Sequence, residues 1–163
     1  MNRVTINIQD IPPPAFSAAL EAYAFKVLSK LNLDNWDLSV LLCGDRAIKE
    51  LNSQYRGKGE ATDVLSFELG IEDEGRYLPG DIVISLDTLS ENSIIFEISE
   101  DEELRRLLIH GILHLNGMDH KTNDETEPML VLQEDILNNL DGEHILPKDK
   151  HFAGSKGFAG GNV

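Results

Sequence analysis

Residues 99–120 read SEDEELRRLLIHGILHLNGMDH. Ser99 followed three residues later by Glu102 is a capping box, a pairing that satisfies free N–H groups at a helix start. Leu104, Leu107, Leu108, Ile112 and Leu115 then recur at helical spacing and mark one apolar side. The helix is expected to end near Asn116–Gly117, where glycine takes the left-handed conformation that turns a chain back. His110 and His114 stand four apart, so one helix face carries both imidazoles. A continuing helix would point His120 away from them; a turn at Gly117 brings it back. Three imidazoles and an open fourth position are the usual plan of a catalytic zinc centre. Solvated or core histidines are the alternative, which a lone histidine would favour; three at this spacing with a glycine at the turn favour the metal. One zinc ion per chain is expected, and nickel, copper or iron suit the same ligand type.

The spacing also matches the metzincin proteases, which place a glutamate directly after the first histidine as the base that activates water. Here that position is Gly111, so peptide hydrolysis lacks its base and becomes the second reading. Asp119 is placed either to orient a ligand histidine or simply to form the turn. His144 and His151 fall outside the pattern and read as surface residues.

Working outward, Val4, Ile6 and Ile8 alternate as on a half-buried strand, and Pro12–Pro14 then break the chain. Residues 15–32 have the period of an amphipathic helix. Trp36, Leu38, Val40 and Leu42 alternate again, and Asp45 is placed to cap a short helix through Ile48 and Leu51. RGKGEAT (56–62) reads as a loop, Val64–Phe67 as the start of a third strand, and DIVIS (81–85) as a fourth, joined by a polar loop from Gly70 to Gly80. A helix is expected over 86–98, with a strand through Ile94, Ile95 and Phe96 as the alternative. Asp124 is expected to cap a last helix, with Pro128 in its first turn, running to Asp141–Gly142. From residue 148 the chain is rich in Gly and Lys and is expected to be a disordered tail. The elements predict one α+β domain over 1–147, with a mixed four-stranded sheet and helices covering one face.

Composition bounds the function. Hydrophobic residues make up 41% and charged residues 26%, as in an ordinary globular domain. No apolar run approaches a membrane span, and the N-terminus lacks the apolar core of a signal peptide, so a cytoplasmic protein is expected. The single cysteine, Cys43, ends an apolar run and reads as a small buried hydrophobe. The net charge of −15 argues against broad nucleic-acid binding through phosphates, so an RNA role needs a local basic patch or a partner.

Four segments now combine: LNSQYRGKGEATDVLSFEL (51–69), PGDIVIS (79–85), HGILHLNGMDH (110–120) and MLVLQEDIL (129–137). In content, order and separation they resemble the bacterial YbeY family over roughly residues 1–140. The resemblance implies a four-stranded mixed sheet with about five or six helices, the metal site lying on a helix and the following turn. It implies a metal-dependent, single-strand-directed endoribonuclease in ribosomal RNA maturation, at the 3′ end of the small-subunit rRNA, and in ribosome quality control. The implied partners are ribosomal RNA and ribosomal particles or ribosome-associated proteins, with no membrane and no particular oligomeric state. Ala61 stands where the family usually has proline, and the Gly-rich tail has no counterpart in it.

The resemblance also implies that Arg56 is functional, since it falls on the family's arginine in the first block. The chemistry agrees: a guanidinium grips two phosphate oxygens and stabilises charge that grows during attack on a phosphodiester. Lys58 is a candidate second contact to substrate. Arg105 and Arg106 read as a solvated helix face, with a basic strip as the alternative, and Thr62, Asp63 and Ser66 either shape the cleft or cap a strand end. Two other readings stay open: a hydrolase of peptides or small molecules, and a non-catalytic ribosome-assembly factor with a structural metal.

Overall fold

A computed structural model describes residues 1–56 and 63–147. The chain runs β1 (Arg3–Gln9), α1 (Ser17–Lys30), β2 (Asp37–Cys43), α2 (Asp45–Arg56), β3 (Val64–Asp73), β4 (Arg76–Ser85), α3 (Leu86–Ile95), α4 (Glu100–Leu115) and α5 (Pro128–Asn139). The four strands form one sheet in the order β1-β2-β4-β3. β1, β2 and β4 are parallel, and β3 returns antiparallel to β4. This is the mixed α+β architecture expected from the sequence. No helix among the described residues is long and apolar enough to cross a membrane.

Alternation along the strands divides the core. Val4, Leu38, Val40, Leu42, Ile82 and Ile84 face α1, α4 and α5, where Leu20, Val27, Leu108, Ile112 and Met129 are buried against them. Leu65, Val83 and Cys43 point the other way and pack under Ala47 and Ile48 of α2. Helices therefore cover both faces, which corrects the one-sided arrangement expected. The short apolar stripe of α2 matches the alternate residues of β2, β3 and β4. Cys43 is fully buried, and burial pushes its thiol up to about 12, so it is chemically quiet.

The expected loop from Gly70 to Gly80 is instead the outer half of the β3–β4 pair. Ile71 pairs with Leu78, Glu72 with Tyr77 and Asp73 with Arg76, beyond an irregularity between Glu68 and Ile71. Residues 68–75 are exposed on both faces, so no alternation is written into them and backbone pairing alone defines the strand. Gly80 permits the irregularity. At its φ of +134° a Cβ would lie 1.9 Å from the Phe67 carbonyl oxygen.

At the start of α4 the Ser99 hydroxyl accepts the Glu102 N–H at 3.0 Å, as the capping motif requires. Glu102 does not complete the box; its carboxylate binds Arg106 at 2.8 Å. Asp101 is buried and holds the chain beyond α5 in place. It accepts the N–H groups of Ile145 and Leu146 at 2.6 and 2.8 Å, the His144 Nδ1 at 2.9 Å and the Arg105 Nε at 2.9 Å. His144 is exposed, as expected, though its ring is anchored on Asp101, whereas Arg105 is buried and not the solvated group expected. The N-cap of α5 is Glu127, with Pro128 at the first helical position as expected. Asp124 does not cap it, because its carboxylate is taken by the N–H and hydroxyl of Thr126. The expected tail, 148–163, and His151 within it lie outside the described residues.

Candidate metal centre

The three histidines come together as their spacing requires. α4 carries His110 and His114 on one face, and its end is closed by two reversed hydrogen bonds. Gly117 N–H donates to the His114 carbonyl and Met118 N–H to the Leu113 carbonyl, both at 3.0 Å, with Gly117 at a φ of +90°. That pattern is a Schellman turn, and its left-handed residue is best supplied by glycine. The reversed chain brings His120 back beside the helix pair, with ring centroids 5.2 Å from His110 and 5.4 Å from His114. One nitrogen from each imidazole lies within 4.8 Å of the other two.

Hydrogen bonds at the far side of each ring decide which nitrogen faces inward. The Nδ1 of His114 meets the Met118 carbonyl at 3.1 Å, and that of His120 meets the Thr122 carbonyl at 2.8 Å. The Nδ1 of His110 meets the Gln133 side-chain oxygen at 2.6 Å. All three partners are acceptors, so each Nδ1 carries the proton and each Nε2 presents a lone pair. The Nε2 atoms of His110 and His114 are only 3.1 Å apart. Two lone pairs at that distance are satisfied by a shared cation, and tetrahedral zinc at its usual Zn–N length of ~2.0–2.1 Å spaces its ligands by about 3.3 Å. Burial pushes the His110 pKa down and the Gln133 hydrogen bond opposes it, but the net value stays below the ordinary one. The ring is therefore neutral at neutral pH, as a metal ligand must be.

The imidazoles open into a cleft of about 630 Å³ walled by Asp63, Val64, Ser66, Glu68 and the turn residues Gly117–Asp119. Asp63 closes the start of β3, accepting its neighbour Val64 N–H at 2.8 Å and the Asn92 amide at 3.1 Å. The Ser66 hydroxyl donates to the Gly111 carbonyl at 3.4 Å, tying β3 to α4. Asp119 serves the turn: its carboxylate accepts the His120 N–H at 2.8 Å and stands 3.9 Å from His114 Nδ1, beyond hydrogen-bond reach. Gly111 faces the sheet, where a Cβ would meet Ile82 side-chain carbons at 2.7–2.9 Å. A glutamate there would drive its side chain into β4, so a metzincin-type base has no room.

Other sequence-predicted site residues fare differently. Arg56 is the last residue of α2, and Lys58 and Thr62 lie outside the described residues. Arg106 is neither a solvated cation nor part of a basic strip. It binds both oxygens of Glu134 at 2.9 and 3.1 Å, Glu102 at 2.8 Å and Glu103 at 3.5 Å. The residue that sequence reasoning missed is Gln133, which lies 23 positions from His110 on another helix. A polar residue among the apolar positions of α5 was its one available signal.

An α+β sheet protein with three inward-facing imidazoles on one helix and its closing turn belongs to the class of candidate metallohydrolases. The chain is a member of the family described as Endoribonuclease YbeY, whose model matches residues 5–141. A Treponema denticola protein named Endoribonuclease YbeY is 48% identical over 142 residues, covering 83% of this chain and 92% of the relative. One of the same name from Borrelia turicatae is 45% identical over 119 residues, covering 71% and 80%. A Thermotoga maritima protein with a solution structure superposes with a TM-score of 0.60 at 32% identity, covering 88% of this chain and 91% of that one.

Proposed function

We propose that this chain is a zinc-dependent endoribonuclease that cuts single-stranded RNA during ribosomal RNA maturation, at the 3′ end of the small-subunit rRNA, and in ribosome quality control. It would act in the cytoplasm, in contact with ribosomal particles or their associated proteins. The observation that carries the reading is that one ring nitrogen each from His110, His114 and His120 lies within 4.8 Å of the others at one cleft, in a member of the Endoribonuclease YbeY family.

His110, His114 and His120 would hold one zinc ion, or nickel or another divalent transition metal. When bound, that ion supplies Lewis acidity, polarising a phosphoryl oxygen and acidifying water. The oxygens at the three Nδ1 atoms hold the rings with Nε2 inward and exclude the competing tautomer. Arg56 ends α2, and Val64, Ser66 and Glu68 of β3, the next element in the chain, wall the cleft. From there its guanidinium would grip the scissile phosphate through two N–H groups and offset the charge that grows on it, and Lys58 would contact the flanking backbone. Arg56→Ala is expected to lower turnover with zinc content intact, and His114→Ala to lose both. Wild-type turnover in Arg56→Ala would remove that residue from the reaction.

The crowding at Gly111 weighs against peptide hydrolysis. The charge of −15 and the capture of Arg106 by carboxylates favour a second reading, an assembly factor brought to RNA by a protein partner. Co-sedimentation with ribosomal particles that His114→Ala leaves unchanged, together with no cleavage by either protein, would favour that reading.

A further inference from the structure

Gln133 is buried on α5, and its side-chain amide has two different ends to place. The oxygen faces His110 Nδ1 at 2.6 Å and the NH2 group faces Glu134 Oε2 at 3.1 Å. Shape alone cannot choose between this arrangement and the flipped one, since the two ends of a carboxamide are nearly equal in size. Glu134 makes the choice. Burial pushes its carboxyl up, but the hydrogen bonds from Arg106 and Gln133 outweigh that and hold it below the usual range, so it is ionised and only accepts. Arg106 braces it through Nε and Nη2 at 2.9 and 3.1 Å.

We propose that Arg106, through Glu134 and Gln133, sets the tautomer and orientation of His110, making these three side chains positioning residues of the metal centre. The relay has a definite polarity. Arg106 donates to Glu134, which accepts the Gln133 NH2 group; the Gln133 oxygen is thereby turned to His110, fixes the proton on Nδ1 and leaves Nε2 for the metal. A flipped amide would present N–H groups to Nδ1 and favour the tautomer with its proton on Nε2, which cannot bind. This rests on the three histidines holding a metal and is independent of RNA cleavage.

The test is zinc affinity, measured by competition with a chromophoric chelator, alongside the 15N NMR signature of His110 in metal-free protein. Gln133→Leu should weaken zinc binding by about 10–100-fold, the usual effect of losing a partner behind a ligand. Gln133→Glu, which keeps an acceptor at Nδ1, should restore it. Glu134→Met leaves Gln133 and His110 untouched, so a purely structural role predicts no change, whereas the relay predicts weaker binding. Wild-type His110 should show Nδ1–H, and Gln133→Leu and Glu134→Met should populate Nε2–H. Wild-type affinity or an unchanged tautomer in Glu134→Met overturns the relay, and that variant decides the matter if Gln133→Leu does not fold. If the wild type binds no zinc, the metal reading fails, yet the tautomer shift still decides the polarity.

Discussion

Gly111 has two effects, and both come from its missing side chain. It lets α4 lie against Ile82, and it leaves the position after the first histidine without a base. Gly111→Ala is expected to retain zinc but to destabilise the fold by about 1–3 kcal/mol, the usual cost of overpacking a core. Urea unfolding measures this, and an unchanged midpoint would show that Ile82 yields freely. The glycine after His110 was legible in the sequence, as were the three histidines, because their spacing and the turn at Gly117 are local. Gln133 was not, since no pattern within α5 reports a contact with another helix. Arg105 and Arg106 were misread in part for the same reason. Asp101, Glu102 and Glu103 stand within a turn of them on α4, but the burial of the Arg105–Asp101 pair and the approach of Glu134 from α5 arise only in the folded chain.

Elements were legible where burial follows a period. α4 and the inner halves of β2 and β4 carry one, whereas residues 68–75 are exposed and gave no strand signal. α2 was recognisable as a helix, but its sheet face depends on which alternate residues of β2, β3 and β4 it meets. The segment after α5 is anchored by the Asp101 carboxylate, beside the burial of Ile145 and Leu146 in the core. Asp101→Ala removes the acceptor for Ile145, Leu146, His144 and Arg105 and strands a buried guanidinium. Breaking such a pair costs about 3–5 kcal/mol. The pH dependence has a definite sign. Burial alone raises the Asp101 carboxyl, but the His144 hydrogen bond, the two backbone N–H groups and Arg105 outweigh it, so its folded pKa lies below the ordinary value. A depressed carboxyl contributes stability that is full above the unfolded value of about 3.9 and is lost as pH falls through the folded one. The stability gap between wild type and Asp101→Ala should therefore be widest near neutrality and narrow below about pH 4. Urea titrations at several pH values would show it; a gap that stays constant into strong acid would contradict this role of the carboxylate.

For the whole molecule, the question is how a chain of net charge −15 engages a polyanion. α4 does not supply a basic face, because Arg105 and Arg106 are bound by carboxylates. If Arg56 and Lys58 make the phosphate contacts, the dependence of log affinity on log salt for single-stranded RNA should have a slope of about −1.4. A titration of metal-free protein against a labelled oligonucleotide measures it, and a slope steeper than about −3 would require cations beyond these two. The central claim is that the three histidines hold the metal that cuts RNA. Its most direct test is cleavage of a ribosomal RNA fragment by zinc-loaded protein, with chelator-stripped protein and identically purified His114→Ala beside it. The account predicts internal cleavage by the zinc-loaded wild type, loss on stripping, recovery when zinc is returned, and none from His114→Ala. Equal cleavage by wild type and His114→Ala would contradict it.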